Sequence, residues 1–343
     1  MDVEAFCRQS RIFVIAGKGG VGKTTVTAAL ARLAADTGLD VLVVGLDDAG
    51  ALPVLFGRET AFGYDEVPLY ESRAGGRVTG RVITPDDALL DYLTDHGLQR
   101  VARRLVSTGV LDVVATAIPG IREILVLGKV KQLERAGAAD VLVLDAPATG
   151  HAVRFLTSAN GLLDAARGGP LRTQAADVVD MLHDPERCQV VLVTIPEETP
   201  VNELIETAYR FEDEVGIMLG PVVVNSCYPL IAHLGADPAL LAQVAGVPPL
   251  EEREAARLRA AAAFRAAREA VQEEQVHRLE SDLPLPELRL PYMSSGEIGA
   301  EDVAVLAAAL REAITALDAE ELSFAANRAR SAGTGGGTAG GGA

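Results

Sequence analysis

The segment Gly17-Lys-Gly-Gly-Val-Gly-Lys-Thr-Thr25 constrains this chain more than any other feature, because it fits G-x-x-x-x-G-K-[ST] and that pattern works only between a strand and a helix. The flanks supply both. Arg11-Ile-Phe-Val-Ile-Ala16 is a short β-rich run ending at glycines, Val21 to Ala35 has helical composition, and Asp40-Val-Leu-Val-Val-Gly-Leu46 reads as a second strand. In such a loop the glycines let backbone N–H groups turn inward around phosphate oxygens, and the following helix adds the positive end of its dipole. Gly17, Lys18, Gly19, Gly20, Val21, Gly22, Lys23, Thr24 and Thr25 are therefore the candidate ATP-binding residues. Lys23 is expected to neutralise the β- and γ-phosphates, Thr24 to place its hydroxyl on Mg²⁺, and Thr25 is the candidate for the α-phosphate.

Further apolar runs suited to buried parallel strands are Val141 to Leu144, Val190 to Thr194, Val222 to Val224 and Leu288 to Leu290, with helix-like segments between most of them. The alternation predicts an α/β fold with a doubly wound, mostly parallel sheet. From about residue 51 to 137 the pattern changes to several short helices, after a strand around Val82-Ile83, and is expected to be a helical insertion. Residues 1–318 then form one P-loop domain carrying that insertion. Glu251 to Leu279 reads as one long packed surface helix whose larger apolar residues are Leu258, Phe264, Val271 and Val276. Residues 319–343 form a C-terminal extension, Gly/Ala/Thr-rich and expected to be disordered from about 331.

A formal charge of −17 over 343 residues argues against nucleic acid or anionic lipid as general partners, since both reward a basic surface. No apolar run approaches the roughly 20 residues of a membrane span, and Asp2 and Glu4 stand where a signal peptide needs positive charge, so a cytoplasmic protein without an integral membrane segment is expected. Cys7, Cys188 and Cys227 lack C-x-x-C spacing and suggest neither zinc nor a disulfide framework. Only four of the 31 basic residues are lysines, and two of those four, Lys18 and Lys23, share one loop.

An ordinary P-loop does not require a lysine directly after its first glycine. Lys18-Gly-Gly-Val-Gly-Lys-Thr-Thr25 resembles the deviant Walker A motif of the MinD, ParA, nitrogenase-iron-protein and ArsA group. The resemblance implies a dimer in which Lys18 reaches the partner's phosphates and acts catalytically in trans. Asp145-Ala-Pro-Ala-Thr-Gly-His151 with Arg154-Phe-Leu156 resembles the switch II element of the ArsA and tail-anchored-protein-targeting ATPases, and Pro119-Gly-Ile-Arg-Glu123 and Pro196-Glu197 resemble other segments of that family. Gly168-Gly-Pro170 and its surroundings are similar to actinobacterial anion-transporting-ATPase-like chains.

Asp145 ends a buried strand beside the P-loop and is the expected support for hydrated Mg²⁺. Asp47 matches the family's switch I aspartate, which implies a catalytic role in positioning water and a place near the metal. The family's D-P-A-[HS]-N is here Asp47-Asp-Ala-Gly-Ala51, without the proline or asparagine, so slow or partner-dependent hydrolysis is one expectation. Asn225 resembles the adenine-reading asparagine, and Pro291-Tyr-Met293 the loop over the base. A nucleotide-state relay through His151 and a surface hydrogen-bonding role weigh equally.

No methionine lies between Ala51 and Gly137 and there is no C-x-x-C, so a Met-rich groove for membrane segments finds no support, and the insertion holds no thiol for arsenite. Two function classes follow. One is a switch ATPase, a homodimer or a heterodimer with a paralogous ATPase, coupling nucleotide state through its insertion to a protein client the sequence does not identify. The other is a nucleotide-binding regulatory subunit with negligible hydrolysis, paired with an active paralogue.

Overall fold

The computed structural model describes residues 1–46, 48, 50–59, 61–95, 97, 120–165 and 168–317. In chain order these form α1 (Val3–Cys7), β1 (Ile12–Gly17), α2 (Lys23–Ala35), β2 (Val41–Leu46), α3 (Leu52–Leu55), β3 (Val67–Glu71), β4 (Arg77–Ile83), α4 (Pro85–Asp95), α5 (Ile121–Ala136), β5 (Val141–Ala148), α6 (Thr149–Ala165) and α7 (Pro170–His183). They continue with β6 (Cys188–Thr194), α8 (Glu198–Arg210), a single π-helical turn at Phe211–Val215, β7 (Met218–Leu219), β8 (Val222–Cys227), α9 (Pro238–Val244), α10 (Glu252–Asp282), β9 (Glu287–Pro291) and α11 (Ala300–Ala316).

The strands build one sheet in the order β3-β4-β2-β5-β1-β6-β8-β9, with β7 paired to β6. Every pairing is parallel except β3 with β4. Parallel strands joined through helices are covered on both faces, which is why β1 and β6 are buried at every residue. Successive side chains point to opposite sides, so one strand feeds two cores. Ile12, Val14 and Ala16 pack with residues of α5, α6 and α7, whereas Phe13 and Ile15 pack with those of α2 and α11.

The expected parallel, doubly wound sheet is present, and every strand read from an apolar run lies in it. The stretch from 51 to 137 differs from the helical reading. Its first part folds as the β3–β4 hairpin, and β4 continues the main sheet in parallel register with β2, from Val41 opposite Val78 to Leu46 opposite Ile83. The strand read around Val82-Ile83 is the end of β4; β3 escapes sequence reading because it is an edge strand with one deeply buried residue, Leu69, too little for a period-two pattern. The turn between the two strands packs closely on the end of α2, since a Cβ on Gly76 would stand 2.4 Å from the Ala35 carbonyl oxygen. Among the described residues the helical part of this stretch comprises α3, α4 and α5; residues 98–119 lie outside those described, as do 318–343 with the expected tail.

The long helix α10 runs close to its expected bounds and is packed at its ends, through Ala255 in the first turn and Gln275, Val276 and Leu279 toward the C-terminus. Leu258, Phe264 and Val271 are 48%, 72% and 41% exposed, so the stretch between those ends presents its larger apolar residues outward. Beside it, α9 and the preceding loop enclose an apolar cavity of about 650 Å³ lined by Ile231, Leu241, Val247 and Leu258 among others. Among the described residues no helix is long and apolar enough to cross a membrane.

Candidate functional site

The phosphate loop leaves the carboxyl end of β1, the central strand between β5 and β6. Chain connections depart to opposite sides there, and the strand ends leave a crevice in which α/β sheets bind ligands. Gly17 is the last residue of β1, opposite Val193 on β6. It must be glycine for packing reasons, because a Cβ would lie 2.3 Å from the Val193 carbonyl oxygen. Val21 is buried and anchors the loop below.

Above that floor the loop is open. A Cβ on Gly19 or Gly20 would meet nothing within 4 Å, and Gly20 and Gly22 hold left-handed φ values of +85° and +91°. Gly22 is the N-cap of α2, and no side chain caps that helix end. The first-turn N–H groups of α2 therefore face the hollow unpaired by any side-chain cap, as a phosphate requires. Lys23, Thr24 and Thr25 open the helix. The Lys23 ammonium donates to the Lys18 carbonyl oxygen at 3.1 Å, bracing the loop from inside. Burial lowers the pKa of Lys23 from the ordinary lysine value, and the Asp145 carboxylate opposes that shift.

Asp145 lies in β5, opposite Ile15 of β1, which sets it just behind the loop. Its Oδ2 accepts from Thr24 Oγ1 at 2.7 Å and its Oδ1 from Thr27 Oγ1 at 3.4 Å. Burial raises the Asp145 pKa above the ordinary carboxylate value; the Thr24 hydrogen bond and the Lys23 charge pull it back, and the like charge of Asp48 adds to the rise. One carboxylate, one hydroxyl and a phosphate hollow together match a magnesium ion, which takes few protein ligands and shares the rest with substrate phosphates and water. Accordingly, among the described residues no cluster of three or more His, Cys, Asp or Glu side chains could hold a metal by itself.

Asp47 lies outside the described residues. Its neighbour Asp48 accepts the Gly50 N–H at 2.8 Å in a tight turn. Asn225, in β8, is brought directly under the loop: its Nδ2 donates to the Val21 carbonyl oxygen at 2.9 Å, and a Cβ on Gly22 would come within 2.3 Å of that nitrogen. In this state its amide braces the P-loop. Pro291, at the end of β9, pairs with Cys227 just beyond Asn225, and Met293 is partly buried against the α2–α11 side of the core. His151 is exposed near the start of α6 and lines a cleft of about 400 Å³ with Arg122, Glu123 and Arg154.

The two loop lysines point to different places. Lys23 turns into the loop, while the Lys18 ammonium reaches Glu203 Oε1 on α8 at 2.6 Å, with both side chains about one-third to two-fifths exposed. Glu203 carries no signal in sequence, since nothing in α8 marks one glutamate among several.

Comparison with known proteins agrees with this geometry. The model of the family described as anion-transporting ATPase matches residues 10–164. The chain is 33% identical over 242 residues to ATPase BagA of Mycobacterium tuberculosis, covering 68% of this chain and 69% of BagA. A putative arsenical pump-driving ATPase of Halobacterium salinarum is 28% identical across 64% of this chain and 36% of its own length. ATPase GET3B of Arabidopsis thaliana is 25% identical across 64% of both chains. The family model over residues 10–164 and a 33% identical relative matched over two thirds of both chains place the chain in the anion-transporting ATPase family as an ATP-hydrolysing enzyme.

Proposed function

We propose that this ATPase is a magnesium-dependent dimeric switch, in which bound ATP closes two subunits through Lys18 and the change is passed to a protein client through the helices that follow the site. The observation that supports the reading is that the two loop lysines part: the Lys23 ammonium turns into the loop, whereas the Lys18 ammonium is directed to Glu203 on α8 and does not duplicate Lys23. Lys23 binds and neutralises the β- and γ-phosphates, the loop N–H groups hold their oxygens, and Thr24 and Asp145 hold the metal. When bound, magnesium supplies neutralisation of the charge on the phosphates being separated. Asp47 is the residue that orients the attacking water.

Helix packing from the site to the insertion supports this coupling. Asp145 and the first turn of α6 are joined by the last residues of β5, with no intervening loop, and α6 packs along α5, which packs on α4. A shift of the Asp145 segment on nucleotide binding therefore moves a rigid helix that contacts the insertion.

Asp145→Asn tests the metal role and has opposite expected effects on two readouts. Magnesium-dependent turnover falls by about 10²-fold or more, as for loss of one preorganised charge at a reacting centre. Without nucleotide or metal the same variant is more stable than wild type at neutral pH, by about 0.5–2 kcal/mol. The sign follows from the raised pKa: Asp145's contribution to stability is present below its unfolded-state pKa and is lost as pH rises through the folded one. A thermal melt from pH 4 to 8 measures it, and a neutral or destabilising result at pH 7 removes the strain assigned to this carboxylate.

For the dimer, light scattering of the full chain with ADP and with ADP–aluminium fluoride, alone and mixed with a candidate paralogue, is decisive. Wild type is expected to double in mass with the γ-phosphate mimic and Lys18→Ala to dimerise more weakly, at higher protein concentration. A wild-type chain that stays monomeric with every nucleotide and partner overturns the proposal.

A further inference from the structure

We infer that Glu203 is the positioning residue of Lys18, holding its ammonium within the lone protomer and yielding it to the opposing subunit's nucleotide when two protomers close. The inference rests on the reading of Lys18 as a residue that acts in trans, and adds to it a built-in competitor. Its basis is the 2.6 Å ion pair between Lys18 Nζ and Glu203 Oε1. The two partners are mounted very differently. Lys18 sits beside Gly19 and Gly20, around which a Cβ would touch nothing, so its long side chain has open space to swing through while the Lys23 ammonium holds its carbonyl oxygen. Glu203 sits on a helix whose other face is fixed in the core, with Val201, Leu204 and Ala208 at 0%, 3% and 0% exposure. The pair therefore has one rigid half and one mobile half, and it is the lysine that moves.

One ammonium does not serve the carboxylate and an opposing nucleotide at full strength together, so dimer closure must break the contact. A half-exposed single ion pair is weak, worth up to about a fivefold shift in an equilibrium, whereas a polyphosphate offers several charged oxygens to the same group. Glu203 is thus strong enough to disfavour dimers without nucleotide and weak enough to be displaced when phosphates arrive. A symmetric dimer breaks two such pairs, so the latch raises the dimer dissociation constant by up to about 25-fold.

The test is a double-mutant cycle on the full chain, reading the dimer dissociation constant by sedimentation in ADP–aluminium fluoride and magnesium. Glu203→Gln is expected to tighten dimerisation by about 5- to 25-fold. In the Lys18→Ala background the same change is expected to have no effect. Glu203→Asp retains the charge with a shorter reach and should tighten the dimer like Glu203→Gln, which separates loss of contact from relief of general charge repulsion. Nucleotide affinity of the monomer, followed with a fluorescent ATP analogue, should match wild type for both Glu203 variants and reports that they are folded.

A Glu203→Gln dimer no tighter than wild type, with Lys18→Ala still defective, overturns the latch and leaves the trans role of Lys18 standing. Equal tightening in the presence and absence of Lys18 also overturns it. A Lys18→Ala protein that dimerises like wild type instead removes the underlying reading, and the latch with it.

Discussion

Lys23→Ala is expected to lower ATP turnover by about 10²- to 10³-fold or more, the largest functional loss available from one substitution in this chain. The hollow at the end of β1 offers backbone N–H groups, a helix N-terminus and one inward ammonium. Without that ammonium the charge of the β- and γ-phosphates is met by backbone dipoles alone. Lys23 is also partly desolvated, which makes its charge more effective than a surface lysine's, since the field it exerts is less screened. The variant should fold, because the bond lost from the apo protein is a single donation to the Lys18 carbonyl oxygen. Steady-state phosphate release together with a binding assay checks this: turnover near wild type would mean that Lys18 or another group serves the same phosphates.

Gly17→Ala is expected to produce the largest loss of stability at the site, about 3 kcal/mol or more, because overpacking against rigid backbone sits at the costly end of its range. The added methyl would meet the Val193 carbonyl oxygen at 2.3 Å and the Val21 side chain at 3.1 Å. Val193 lies in the sheet directly opposite Gly17, so neither strand can yield without breaking the β1–β6 register. For a domain of this size the apparent melting temperature should fall by roughly 5–10 °C. Differential scanning fluorimetry measures it, and Gly19→Ala is the control: a Cβ there meets open space and φ is not positive, so its unfolding temperature should be nearly unchanged. Equal destabilisation by the two changes would show that the packing at Gly17 is not what that position protects.

This contrast between two glycines of one loop shows what kind of information was legible in sequence. The motif specifies Gly17 and Gly22 and leaves Gly19 and Gly20 open, and it gives no reason for any of the four. Only the fold separates Gly17, held by a neighbouring strand, from Gly19 and Gly20, which leave the hollow open, and from Gly22, which needs a left-handed backbone and borders Asn225. In the same way the resemblance suggests a base-reading role for Asn225, while the tertiary structure gives its amide a partner in the loop itself, the Val21 carbonyl oxygen. A side chain assigned one role by motif can hold a second one in the fold.

The sequence by itself determined the strand–loop–helix that binds phosphate, the parallel character of the sheet and the pairing of two lysines in one loop. Each of these is local or periodic: uninterrupted apolar runs demand burial on both faces, and a glycine-rich turn before a helix demands an anion. What only the tertiary structure decided are contacts between residues far apart in the chain. The β3–β4 hairpin has too short an apolar pattern to be read alone and is held by pairing with β2. Asp145 meets Thr24 across 121 residues, and Glu203 meets Lys18 across 185. No periodicity encodes such pairings, because they follow from the order in which strands enter the sheet, and that order is set by packing of the whole chain.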